Sequence, residues 1–121
     1  MPRAKRGFKK RRSHNKVLER ASGFVLGLGN KFKRTAEAVD RAHGYAFRDR
    51  RAKKRDFRAL WIARINAASR LHGLNYSRLI DGLNRANVEI DRKMLADLAV
   101  HDVDAFGAIA QQAKTALGIA A

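Results

Sequence analysis

An all-α fold is predicted by three features of this sequence. From Lys31 to His72, apolar and small residues recur at steps of three and four, the period of one helix face. Further on, Asn75 or Ser77, Asp91 and Asp102 each stand just ahead of a short apolar-periodic run, where N-caps belong. No stretch gives a convincing strand pattern. The architecture that follows is a long basic N-terminal helical extension, residues 1–58, and a small C-terminal helical bundle, residues 59–121.

Taken in order, residues 3–12 carry seven basic side chains and no acidic one. Such a block repels itself and is expected to be disordered without a partner; the plain alternative is a solubility tail or a localisation signal. Residues 14–21 read as a short helix capped by Ser13, with Val17 and Leu18 as its apolar contacts. Gly23, Gly27 and Gly29 then break the chain, as a flexible joint or a place of close backbone approach. They do not make a phosphate-binding loop, because the flanking strand and the Gly-Lys-Ser/Thr ending are missing.

The next helix holds Phe32, Ala36, Val39, Ala42, Ala46, Phe57, Trp61, Ile65 and Ala68 at helical spacing, and Gly44 is the one position at which it can bend. His72, Gly73 and Leu74 suit a left-handed cap with a hydrophobic contact just past it. Unbroken, this helix is about 42 residues and roughly 63 Å long. The bundle follows. Leu79, Ile80, Leu83 and Ala86 mark one helix; Ile90, Met94, Leu95 and Leu98 a second; Phe106, Ile109, Ala110, Ala113 and Leu117 a third. Leu60, Trp61, Ile62 and Ile65 of the long helix close it. The acid-capped helix starts suit the helix dipole and make this region a poor phosphate binder.

Charge divides along the same line. Residues 1–70 hold 22 Lys and Arg against 5 acidic residues, whereas residues 71–121 hold 5 against 6, for a whole-chain net of +16 in 121 residues. Self-repulsion of that size points to a strongly negative partner, and the nucleic-acid backbone is the leading one. Residues 48–56 are decisive, with six basic residues and no large apolar one. Basic groups are expected all round that helix, leaving no face for a protein core. Asp49 and Lys53 stand as an i,i+4 pair.

The candidate nucleic-acid-binding residues, RNA-binding ones if the resemblance given below holds, follow from this distribution. In the first segment they are Arg3, Lys5, Arg6, Lys9, Lys10, Arg11 and Arg12, then His14, Lys16 and Arg20. After the glycines come Lys31, Lys33 and Arg34. The central set is Tyr45, Arg48, Arg50, Arg51, Lys53, Lys54 and Arg55, with Arg58 and Arg64 towards the bundle. Arginine supplies planar bidentate contacts to phosphate, lysine a point charge. Tyr45 and Phe47, where no core is available, are expected against sugar or base faces. Trp61 sits at core spacing and is expected to be core.

Other chemistries are excluded or weak. With no cysteine there is no disulfide, no Cys-ligated zinc and no thiol catalysis, and a reducing compartment is the natural setting. His14, His43, His72 and His101 recur every 29 residues, yet no two are i,i+3 or i,i+4 neighbours, so no helix-borne metal pair exists. Glu89 with Asp91, and Asp102 with Asp104, stand at helix starts, where capping accounts for them. No catalytic residue, cofactor, metal or small-molecule substrate is expected. No secretory signal is visible, and no apolar run approaches the roughly 18–20 residues of a membrane span.

Three segments carry a resemblance. RDFRALWIARINAASR (Arg55 to Arg70), YAFRDRR (Tyr45 to Arg51) and VEIDRKMLADLA (Val88 to Ala99) strongly resemble the L-twenty family of bacterial large-subunit ribosomal proteins, and the likeness covers nearly the full length. It implies an all-helical fold with an RNA-threading N-terminal extension and a place in the cytoplasm, within the ribosome. It further implies direct binding to large-subunit (23S) ribosomal RNA, a role in early subunit assembly, contact with neighbouring ribosomal proteins and, in some bacteria, repression of the protein's own messenger RNA. The chain departs from the family pattern at Gly23 to Asn30, where relatives are more basic and more aromatic. The rival readings are a DNA-binding or DNA-compacting protein and a membrane-surface helix. The first lacks a dimerising zipper and a single groove-facing basic stripe, and the second lacks an apolar face at residues 48–56.

Overall fold

A computed structural model describes residues 6–119. Of the candidate residues, Arg3 and Lys5 lie outside that range. Five helices are present: α1 (Gly7–Arg20), α2 (Phe32–Leu71), α3 (Tyr76–Arg85), α4 (Arg92–His101) and α5 (Val103–Leu117). No strand occurs among the described residues. The chain divides into two compact units, Met1–Arg51 and Ala52–Ala121.

In the first unit, helix begins at Gly7, well ahead of the Ser13 start read from the sequence, and Ser13 lies exposed inside it. The expected disorder is therefore not seen over residues 7–12. Lys and Arg are good helix formers, and long stems hold their charged ends apart in water. No side chain caps the start; the Arg6 carbonyl accepts from the Lys9 and Lys10 amides at 3.1 and 3.3 Å. Ala21, Thr35 and Val39 are buried, and the His14 ring stacks on Phe32 with centroids 3.6 Å apart. Between α1 and α2 the backbone is held by Phe24 N–H donating to Ala21 O, Leu28 N–H to Val25 O and Lys31 N–H to Gly27 O. Gly29 is a point of close approach: a Cβ there would lie 2.9 Å from the Phe24 carbonyl oxygen.

Helix α2 runs through Gly44 without interruption. It ends as expected. Gly73 is left-handed (φ 72°), Gly73 N–H donates to Arg70 O and Leu74 N–H to Ser69 O, both at 3.0 Å, the paired bonds of a Schellman stop. Leu74 is buried just beyond it.

The second unit is a bundle around Ile65, Leu74, Leu79, Leu83, Leu95, Ala96, Phe106, Ala110 and Ala113, with Trp61, Ala68, Ile109 and Leu117 partly buried against them. α3 and α4 both pack on α5, and α3 does so more extensively. The α3–α5 approach is closest at Gly82, where a Cβ would lie 2.5 Å from the Ala113 carbonyl oxygen. Three expected caps form: Asn75 Oδ1 accepts from Arg78 N–H (2.8 Å), Asp91 Oδ1 from Met94 N–H (2.7 Å) and Asp102 Oδ1 from Ala105 N–H (2.9 Å). Asp102 also ends α4, its own N–H donating to Leu98 O. Arg92 Nε donates to Tyr76 Oη at 2.8 Å, joining α4 to α3.

Two expected core residues are on the surface instead. Met94 is 52% exposed and Leu60 43%. In α4 Leu95 and the small Ala96 take the inner face, which leaves Met94 on the outer side. In α2, Ile65 is the fully buried residue of the closing face. Replacing Asp91 by Ala should cost about 1 kcal/mol, since an orphan amide at the start of α4 loses its acceptor. Urea unfolding followed by Trp61 fluorescence measures this, and Asp91→Asn, which keeps a capping oxygen, should cost much less.

Candidate nucleic-acid interface

The candidate interface consists of cations that the fold leaves uncovered. From His43 to Leu60 every residue is exposed except the half-buried Ala52. At about 100° per residue, the basic residues from Arg48 to Arg58 cover about 220° of the α2 circumference, running from Lys53 round to Arg48. The remaining arc holds Asp49, Ala52 and Asp56. The cations thus wrap most of the helix rather than all of it, and the two carboxylates share the gap.

Few of these cations are neutralised. Among the described residues the ion pairs are Arg48–Asp49, Arg85–Asp81 and His101–Asp97, so of the described candidates only Arg48 has a carboxylate partner. Asp49 pairs with Arg48 at 2.7 Å rather than with Lys53. The hydrogen bond from the Arg48 guanidinium holds the Asp49 carboxyl below its ordinary range, and the same bond raises Arg48.

The aromatic candidates are engaged by neighbours on the same helix. The Arg48 guanidinium carbon lies 4.9 Å from the Tyr45 ring centre, and that of Arg51 lies 3.8 Å from Phe47. Arg51 Nη1 also donates to the Phe47 carbonyl at 3.0 Å. The rings therefore brace guanidinium groups, while Tyr45 and Phe47 stay 52% and 57% exposed. A similar stack places Lys53 Nζ 5.7 Å from Phe57.

In the first unit Arg6, Lys9, Lys10, Arg11, Arg12, Lys16 and Arg20 are exposed, as are Lys31, Lys33 and Arg34. His14 is the exception. It is half-buried and one face of its ring stacks on Phe32.

In the second unit Lys53, Lys54, Arg55 and Arg58 are exposed. Arg64 lines a crevice with Trp61, Lys93, Met94, Ala96 and Asp97. Lys93 was not among the sequence candidates. It lies far along the chain in a stretch of balanced charge, and only the packing of α4 beside α2 brings it near Arg64. Among the described residues no group of three or more His, Cys, Asp or Glu side chains is placed to hold a metal ion, and no helix is long and apolar enough to cross a membrane.

Comparison with known proteins places the chain in a family. Residues 3–109 match the family described as Ribosomal protein L20. The Large ribosomal subunit protein bL20 of Geobacter metallireducens is 65% identical over 95% of this chain and 98% of its own length. The proteins of the same name from Geobacter sulfurreducens and Syntrophotalea carbinolica are 66% and 61% identical, over 94% and 97% of this chain and 97% and 99% of their own lengths. With its helical bundle and uncovered cations, the chain belongs to the ribosomal protein L20 family, and it is a structural, non-enzymatic protein of the large ribosomal subunit.

Proposed function

We propose that this protein binds large-subunit (23S) ribosomal RNA directly, through α1 and the exposed length of α2, and promotes early assembly of the subunit in the cytoplasm. One observation carries this reading. From His43 to Leu60 the helix has no protein covering it, and its cations, Arg48 apart, have no carboxylate partner among the described residues. A polyanion supplies both the cover and the counter-charge. Phosphates from separate RNA strands can approach one another once these cations stand between them, which is how such a helix favours a compact RNA fold.

The bundle, close to neutral, is the part suited to neighbouring ribosomal proteins. The protein's own messenger RNA is a second ligand of the same chemistry.

The test is a salt titration of the full chain against deproteinised large-subunit RNA. Affinity should fall steeply, with a log–log slope of roughly 0.7–0.9 per phosphate contact. A flat response rejects the electrostatic reading. Duplex DNA and the messenger leader as competitors rank the possible ligands.

A further inference from the structure

The turn between α1 and α2 breaks the pattern of the unit that carries it. Val25 is 70% exposed and Leu26 92%, beside Phe24 at 38%. These are three consecutive large apolar side chains at the surface of a strongly basic segment. Leu26 also has a left-handed backbone (φ 57°), which a leucine adopts only under strain. Gly23 and Gly27 on either side have positive φ as well, where glycine bears no such penalty. In the free protein, then, Leu26 is strained without gaining burial in return.

The tip is nevertheless fixed. Its backbone is tied to buried Ala21 through Phe24 N–H and to Gly27 through Lys31 N–H, and Gly29 closes against the Phe24 carbonyl. An ordered apolar tip gives up little entropy on binding. No acidic residue occurs between Glu19 and Glu37, while Arg20, Lys31, Lys33 and Arg34 flank the tip in sequence. An apolar protein surface would cover the tip and leave those charges unanswered. RNA answers both: its phosphates take the cations, and an unstacked base offers an apolar face.

From these observations we infer that Val25 and Leu26 form a wedge that seats against an unpaired, bulged or junction nucleotide of the large-subunit RNA. The inference rests on the RNA-binding reading above. Apolar side chains inserted at unstacked steps are a general device of nucleic-acid binding, and RNA offers such steps at bulges and junctions. The wedge adds a contact that does not depend on salt to an interface otherwise made of charge.

The experiment uses the full chain with the double substitution Val25→Ala and Leu26→Gly. Glycine suits the left-handed backbone, so the thermal melt should hold or rise. Leu26→Asn, which tolerates that backbone and is polar, is the second variant. Both are titrated against deproteinised large-subunit RNA across salt concentrations, with chemical probing of unpaired bases in each complex.

The double variant should lose about tenfold in affinity at every salt concentration with an unchanged log–log slope, because no cation has been removed. Leu26→Asn should lose affinity in the same direction. One or a few nucleotides shielded by the parent protein should become reactive in both variant complexes. Unchanged affinity and an unchanged footprint overturn the wedge, and the RNA reading survives if the parent still binds with a steep slope. Normal binding to naked RNA but failure to enter subunits rebuilt with the other ribosomal proteins also overturns it, assigning the tip to a protein neighbour. A flat salt response in the parent protein itself is a failure of the RNA reading, whatever the variants do.

Discussion

Replacing Arg50, Arg51, Lys54 and Arg55 together by Gln should weaken binding to large-subunit RNA on the order of a hundredfold at physiological salt, with a salt slope shallower by about three. These four side chains are exposed, and none has a carboxylate partner among the described residues. Their loss breaks no ion pair and opens no core. Gln keeps the stem length and a good helix propensity, so α2 should retain its helix. The bundle should melt as before, followed by the fluorescence of Trp61, the chain's single tryptophan, which packs against the bundle core. The two readouts must separate. A fall in affinity with an unchanged slope would mean that the four residues shape the helix and do not neutralise phosphate. A lower melting temperature would mean that they support the fold.

The second large effect concerns stability. Gly82→Ala should lower the melting temperature of the bundle by about 10–20 °C, from an overpacking cost of roughly 2–3 kcal/mol in a small domain. The added methyl would lie 2.5 Å from the Ala113 carbonyl oxygen, 2.8 Å from its Cβ and 2.9 Å from its carbonyl carbon. Those atoms are backbone and a Cβ, so no rotamer change relieves the clash. α3 and α5 must move apart along the interface that buries Leu79, Leu83, Phe106 and Ala110. Gly44→Ala is the control. Nothing lies within 4 Å of a Cβ at Gly44, and an alanine in an exposed helix interior should stabilise α2 by up to about 1 kcal/mol. A Gly82→Ala melt within a degree or two of the parent would mean that the two helices are not in such close contact.

The legible part of the structure is the part written in local chemistry. Asn75, Asp91 and Asp102 were identifiable as caps because an acceptor at a helix start acts within three residues of itself. Gly73 was identifiable as a stop for a similar reason. The start of α1 was not, because charge density argues against collapse but not against helix. A run of exposed Lys and Arg satisfies its backbone within the helix and needs no core. Met94 and Leu60 were misplaced because helix phase is settled by tertiary packing: in α4 Leu95 and Ala96 took the inner face, and in α2 Ile65 did. Nothing near Gly82 in the sequence announces Ala113.

The candidate site divides in the same way. The uncovered cations of α2 follow from composition and period. That Arg48 is taken by Asp49, that His14 stacks on Phe32 and that Lys93 comes beside Arg64 are consequences of three-dimensional placement. The exposed Leu26 was visible in the sequence only as a departure from the family pattern, and its backbone strain was not visible at all.

Asp102 ends α4 and starts α5 with no residue to spare. A connector of length one leaves this corner intolerant of deletion. Loss of that single codon would remove the only break between the two helices, and they would read through as one rod of about 25 residues. In such a rod α4 could no longer fold back on α5, so a frame-preserving deletion here should cost the bundle its α4–α5 packing.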